Sequence, residues 1–164
     1  DSLDTEIERM NQKLLPARLG SLWGFIDTSG SWVIPAAFDW VEPFSEGMAL
    51  FGKGDLYGFI NLFGQEVIHA QYQDAESFKF GVSIVFNGQN YGGINRFGKL
   101  RIPFEFSDIG EFVDGIAFAA KNGKYGFIDN NGKVLVPFIY DQAFNMNNNR
   151  ALVKQNGKYG IVNK

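Results

Sequence analysis

The sequence contains no cysteine and one histidine, His69. Disulfides, thiolate nucleophiles and cysteine-based metal sites are thereby excluded, and a ligand set or a Ser-His-Asp triad would have to rest on that one imidazole. Positive charge is also short, with 15 Lys and Arg against 18 Asp and Glu and a formal net charge of -3. A nucleic-acid partner calls for a basic patch that displaces counterions from phosphate, so none is expected. No run approaches the roughly 18 apolar residues that span a bilayer, and no membrane insertion is expected. The first residues, DSLDTEIERM, show no basic-then-hydrophobic leader. A leader already cleaved would leave the same start, and export to the periplasm or cell surface is the expectation set slightly ahead of a cytoplasmic location.

Motifs for nucleotide and ester chemistry are missing as well. The stretch GKGDLYG, Gly52 to Gly58, has neither G-x-G-x-x-G spacing nor a strand-to-helix setting, and no G-x-S-x-G occurs. The turns DTSG and DNNG hold oxygen side chains without the alternating ligands and distal glutamate of an EF-hand loop. Acids such as Asp27, Glu42, Glu46, Asp74, Glu76, Asp108 and Glu111 are scattered and read as a solvated face. The chain therefore reads as non-enzymatic, with no catalytic residue, metal or cofactor.

What the sequence holds in plenty is ring and glycine, 17 Phe and 20 Gly, a mixture that favours short strands and tight turns over long helices. These residues recur every 34 positions without an insertion. An aromatic-glycine pair stands at Trp23-Gly24, Tyr57-Gly58, Tyr91-Gly92, Tyr125-Gly126 and Tyr159-Gly160, with Ile26, Ile60, Ile94, Ile128 and Val162 two places on. Turn glycines follow at Gly30, Gly64, Gly98 and Gly132. Asp or Asn and then Gly between two apolar runs is hairpin chemistry. A preceding strand is carried by MALF, VSIVF, IAFAA and ALVKQ, so one repeat reads as a three-stranded meander. Pro35, His69, Pro103 and Pro137 come next, and a proline there is expected to stop the ladder. A crossover of about a dozen residues would follow, anchored by Phe38, Tyr72, Phe106 and Tyr140 and then by Phe44, Phe78, Phe112 and Met146. It ends at Gly47, Gly81, Gly115 and Asn149, a column whose one non-glycine is Asn and which therefore reads as left-handed backbone.

The pattern WGFID..G..VIP..FD....FSEG.A resembles the WG-containing repeat, a bacterial tandem module of about this length, over residues 21–164. Only Trp23 keeps the tryptophan, and NMNNNR replaces the PFSEG type of segment in the fourth copy. The resemblance implies β-repeat units associated with cell surfaces or with interaction roles, and it brings no catalytic residues. The expected fold is an all-β repeat protein whose meander units stack as an open, twisted, solenoid-like array; the alternative is a small closed β-propeller. The repeats divide as 21–54, 55–88, 89–122, 123–156 and a partial 157–164. Residues 1–20 fall ahead of them as a short helix and linker, because Leu3, Ile7, Met10 and Leu14 share a stripe at helical spacing before Pro16 and Gly20. That segment would cap the first unit or dock on a partner.

Candidate contact residues are those that break the period at polar positions. Trp40 shares a column with Asp74, Asp108 and Gln142; Phe63 and Phe97 stand where the other copies have Ser29 and Asn131. Phe80 aligns with Glu46, Asp114 and Asn148, and Trp32 with Glu66, Leu100 and Val134. Exposed rings are enriched in binding sites. With Leu3, Ile7 and Met10, they suggest a protein-protein interaction scaffold, an accessory subunit of a bacterial envelope or cell-surface assembly. The alternative is a carbohydrate- or cell-wall-binding module, with a polysaccharide stacked on the rings.

Overall fold

A computed structural model describes residues 13–163. Among these, all regular structure is strand, arranged as five antiparallel sheets of three or four strands, none of them closed. The tandem meander expected from the period is what forms. The helix proposed through Leu3, Ile7 and Met10 lies outside the described residues. The rest of that segment needs correction, because Leu15–Leu19, expected as a linker, is a strand. It pairs with the Trp23 strand in the register Leu15↔Ile26 to Leu19↔Leu22.

The chain divides into two compact units, one running to Ser83 and including Arg96–Gly98, the other formed by Ile84–Asn95 and Lys99–Lys164. In the first, β1 (Leu15–Leu19), β2 (Leu22–Ile26) and β3 (Trp32–Phe38) form one sheet. There follow β4 (Trp40–Val41), β5 (Met48–Lys53), β6 (Leu56–Asn61), β7 (Glu66–Tyr72) and β8 (Asp74–Ala75), with β4 to β7 making the second sheet. The second unit holds β9 (Ser83–Phe86) from Ile84 onward, β10 (Tyr91–Ile94), β11 (Leu100–Phe106) and β12 (Asp108–Ile109). It continues with β13 (Ile116–Lys121), β14 (Lys124–Asp129), β15 (Val134–Tyr140), β16 (Gln142–Ala143), β17 (Arg150–Gln155) and β18 (Lys158–Asn163). The short strands β4, β12 and β16 lie in the crossovers and pair with the next repeat's first strand, so the crossover is more ordered than its sequence suggested.

The proline column does not stop the ladder. β3, β11 and β15 run through Pro35, Pro103 and Pro137 to Phe38, Phe106 and Tyr140, and His69 stands mid-strand in β7. The reason is a bulge. Trp23 pairs with Phe38 but Phe25 pairs with Ile34, so one residue of β2 faces three of β3, and a proline inside that excess is asked for no ladder N–H. The same step recurs between Tyr57/Phe59, Tyr91/Gly93 and Tyr125/Phe127. The bulged backbone presses onto the glycine of the aromatic-glycine pair. A Cβ on Gly24, Gly58, Gly92 or Gly126 would fall under 3.0 Å from the third strand's backbone.

Consecutive repeats are held in register by their turns. Gly64 lies over the side chain of Ile34, Gly98 over Ile68, and Gly132 over Ile102, each an offset of one repeat. Beneath these contacts Phe25, Phe59, Phe127, Ile60 and Ile128 are fully buried. The Asp or Asn that opens each of these turns works as an acceptor, not as a left-handed residue. Asp27 Oδ1 accepts the Ser29 and Ser31 amides, and Asn61 Oδ1 accepts those of Phe63 and Gln65.

The Ser29 hydroxyl, and then the Ser31 amide, hold the Asp27 carboxyl below the ordinary aspartate range. A lowered folded value contributes stability above the unfolded value, and that stability is lost as pH falls through the lowered one. Asn61 makes the corresponding bonds without titrating. Asp27→Asn is therefore expected to leave the melting temperature at pH 7 unchanged and to flatten the fall below about pH 4. Asp141, held low by Lys124, keeps its share of that acid limb in the variant. Parallel acid limbs for parent and variant in thermal melts would count against this account.

Candidate functional site

Each crossover ends in a two-residue hairpin turn with both central residues left-handed. The bridge Ser45↔Met48 encloses Glu46 and Gly47 at φ 55° and 77°. Lys79↔Val82 encloses Phe80 and Gly81 at 53° and 75°, and Asn149, at 64°, confirms the left-handed reading of its column. These are type I′ turns. The column before the glycine is left-handed too, which the sequence reading missed. Asp114 and Asn148 suit it, since short polar side chains bond locally there. Phe80 does not, and a Cβ in this region costs roughly 1–2 kcal/mol. Its ring is nevertheless 57% exposed.

Glu46 secures that turn. Its carboxylate accepts the Phe80 amide at 2.7 Å and the Gly81 amide at 2.8 Å, while Ser45 Oγ donates to the Phe78 carbonyl at 2.6 Å. One repeat thus fixes the next repeat's turn. Both Glu46 oxygens are engaged by backbone amides, which suits a positioning group better than a proton carrier.

Beside this joint runs a groove lined by Glu46, Gly47, Met48, Leu62, Phe63 and Arg96. The Arg96 guanidinium lies over Gly47, where a Cβ would stand 3.1 Å from Nη2. Phe63 and Phe97 occupy corresponding turn tips in consecutive repeats, stacked in register by Gly64 and Gly98, and Phe97 is 85% exposed. Of the sequence candidates, Phe63 lines this groove, with Arg96 as its cation; Phe97 follows Arg96 in the chain, and Phe80 stands on the turn that the groove residue Glu46 holds. Arg96 and Glu46 were missed as site residues. The signal for Arg96 was present, because its column otherwise reads Thr28, Leu62 and Asn130.

Trp40 and Trp32 do not line this groove. Trp40 opens β4 and meets Trp23 edge to face, with centroids 5.3 Å apart, while its indole N–H donates to Glu42 Oε1 at 3.1 Å. The Arg18 guanidinium covers the Trp23 ring at 5.9 Å. Trp40 is still 44% exposed, and Trp32, at the start of β3, is exposed as well. His69 is exposed on β7, and among the described residues no three His, Asp or Glu side chains are gathered as a metal site would require.

The model of the WG containing repeat matches four consecutive segments, residues 23–57, 57–91, 91–125 and 125–159. Comparison with curated proteins finds no match.

Proposed function

The chain belongs to the WG containing repeat family, and from that premise we propose that it is a non-enzymatic scaffold that binds another protein through the turn face of its first unit. The observation that carries this reading is the set of three exposed rings, Phe63 in the groove with Arg96, Phe97 next to Arg96 in the chain and Phe80 on the turn that Glu46 holds, at positions where the other repeats place Ser, Asn, Asp or Glu. Scattered apolar residues need no explanation, but exposed aromatic rings with an arginine are the composition of an interface core. Phe80 strengthens the reading, since it holds an exposed ring in a conformation that Asn would adopt at lower cost. The partner fits as a protein with an apolar and acidic patch, in an envelope or cell-surface assembly.

The other repeats supply the replacements for a test. Phe63→Ser, Phe80→Asn and Phe97→Asn put at each position a residue that the same turn uses elsewhere in the chain. Tagged parent and triple variant are exposed to cytosolic and envelope fractions of the source cells. A stoichiometric protein retained by the parent and reduced about tenfold or more by the variant is the expected result. Equal retention would reject the turn face as the interface. A carbohydrate-binding reading is favoured by one observation, the exposed Trp40 braced by Trp23 and Glu42. Polysaccharide retention lost with Trp40→Gln, and kept in the triple variant, would select it.

A further inference from the structure

The turn between β10 and β11 differs from its counterparts in charge as well as in its ring. From Ser77 to Phe104 the chain has no Asp or Glu but holds Lys79, Arg96, Lys99 and Arg101, against a formal net charge of -3 for the whole. Three of those cations fall within RFGKLR, residues 96–101, interleaved with Phe97 and Leu100. In the corresponding turns the column of Arg96 reads Thr28, Leu62 and Asn130, and that of Lys99 reads Ser31, Gln65 and Lys133. Of the four turns, only this one joins two cations to an aromatic tip.

These side chains are open to contact. Phe97 is 85% exposed, more than any other large apolar residue among those described, and Leu100 is 55% exposed. Arg96 and Lys99 are exposed too, and among the described residues neither side chain has an ion pair or a hydrogen bond. Glu46 lines the groove with Arg96, but its two oxygens accept the Phe80 and Gly81 amides. The next acid along the chain, Glu105, pairs with Lys121 at 2.9 Å. The turn's backbone is closed on itself: the Asn95 amide donates to the Lys99 carbonyl at 2.8 Å, and the Lys99 amide to Asn95 Oδ1 at 2.9 Å. A turn bonded in this way leaves bulk water at lower cost than one whose amides need solvent.

We propose that this turn is a docking tip for an anionic lipid bilayer, a contact that goes beyond the protein interface above and needs no partner protein. Phe97 and Leu100 enter the boundary between headgroups and acyl chains, while Arg96 and Lys99 meet lipid phosphates and anionic headgroups. The contact is with the bilayer surface. Charge complementarity selects that surface, because the acid-free stretch is attracted to it and the acidic remainder of the chain is repelled, which turns this tip toward the lipid. Two cations alone would suit any polyanion. The exposed ring and Leu100 beside them add the apolar signal that a lipid boundary uses and a soluble polyanion does not, and the two signals together give reversible docking.

The test is co-sedimentation of the full chain with vesicles of phosphatidylcholine, alone or mixed with phosphatidylglycerol, and with no other protein present. Retention by the anionic vesicles that falls as salt is raised is expected, with little retention by the neutral ones. The other turns supply the variants. Phe97→Asn, and Arg96→Asn combined with Lys99→Gln, should each weaken vesicle binding about tenfold or more while keeping the parent melting temperature. Lys133→Gln, which removes an exposed cation from the same column where no ring stands beside it, should leave vesicle binding unchanged. Absence of binding to anionic vesicles, equal binding to neutral ones, or unchanged binding in either of the first two variants would overturn the proposal. So would equal weakening by Lys133→Gln, or binding to polyphosphate in solution as tight as to vesicles, since charge alone would then account for the contact. Because the vesicles hold no protein, each outcome is read separately from partner retention.

Discussion

Gly126→Val is expected to cost about 3 kcal/mol or more, which for a chain of this size lowers the melting temperature by roughly 10 °C. At Gly126 an added Cβ meets the Val136 carbonyl and the Pro137 backbone, main-chain atoms of the bulge, which cannot rotate away as a side chain would. Relief would require β15 to lift from β14, breaking the pairs Tyr125↔Tyr140 and Phe127↔Val136 and uncovering the fully buried Phe127. The internal control is Gly160→Ala. It sits in the same column but on the edge strand β18, with open space above it, and it should melt at or slightly above the parent, since Ala restricts the unfolded chain. Thermal melts of the two variants decide the matter. A Gly126→Val protein that melts with the parent would show that the bulge can move and that the glycine column has some other cause.

That column shows how much of the fold was legible. An aromatic-glycine pair in phase with turn glycines is a backbone requirement repeated four times, and backbone requirements leave few residue choices. The meander, its turns and the left-handed Asn149 could therefore be read directly. Pro35 misled because proline's missing N–H excludes it from a regular ladder, and the sequence carries no mark of where a ladder is irregular. The bulge that accommodates it is visible only in pairing: Trp23 to Phe38 and Phe25 to Ile34. β1 was missed for a related reason. Leu15–Leu19 shares strand and turn positions with β5 but directly follows the apolar stripe Leu3, Ile7, Met10 and Leu14 that suggested a helix, and Pro16 suggested an end, not an edge strand.

The site was legible to a different degree. Phe63, Phe80 and Phe97 stood out because a repeat defines what each position should be, and three rings in polar columns depart from it. Their grouping was not legible. It depends on the one-repeat offset that sets Gly64 on Ile34 and on the Glu46 carboxylate reaching 34 positions ahead to the Phe80 amide, contacts between columns that no single column records. Arg96 enters the groove for the same reason. Trp40, equally conspicuous in sequence, was drawn instead to Trp23.

Two neighbouring phenylalanines separate scaffold from surface by the sign of their effects. Phe78 is fully buried, its ring lies 4.7 Å from that of Phe59, and its carbonyl accepts the Ser45 hydroxyl. Phe78→Ala leaves a cavity at the joint between two repeats and should cost about 3–5 kcal/mol. Phe80, two residues on, faces outward on a left-handed backbone. Phe80→Asn should relieve that backbone and raise stability by about 1 kcal/mol, with the Glu46 bonds to the amides retained. Both variants should lose partner retention, the first because the turn is no longer held and the second because its ring is gone. Loss of retention in a protein that melts higher than the parent cannot arise from unfolding, so Phe80→Asn isolates the surface from the scaffold. Melting and retention measured on the same preparations decide between the roles. If Phe80→Asn melts lower than the parent, the ring is a structural cover; if it melts higher and still retains the partner, the interface lies elsewhere.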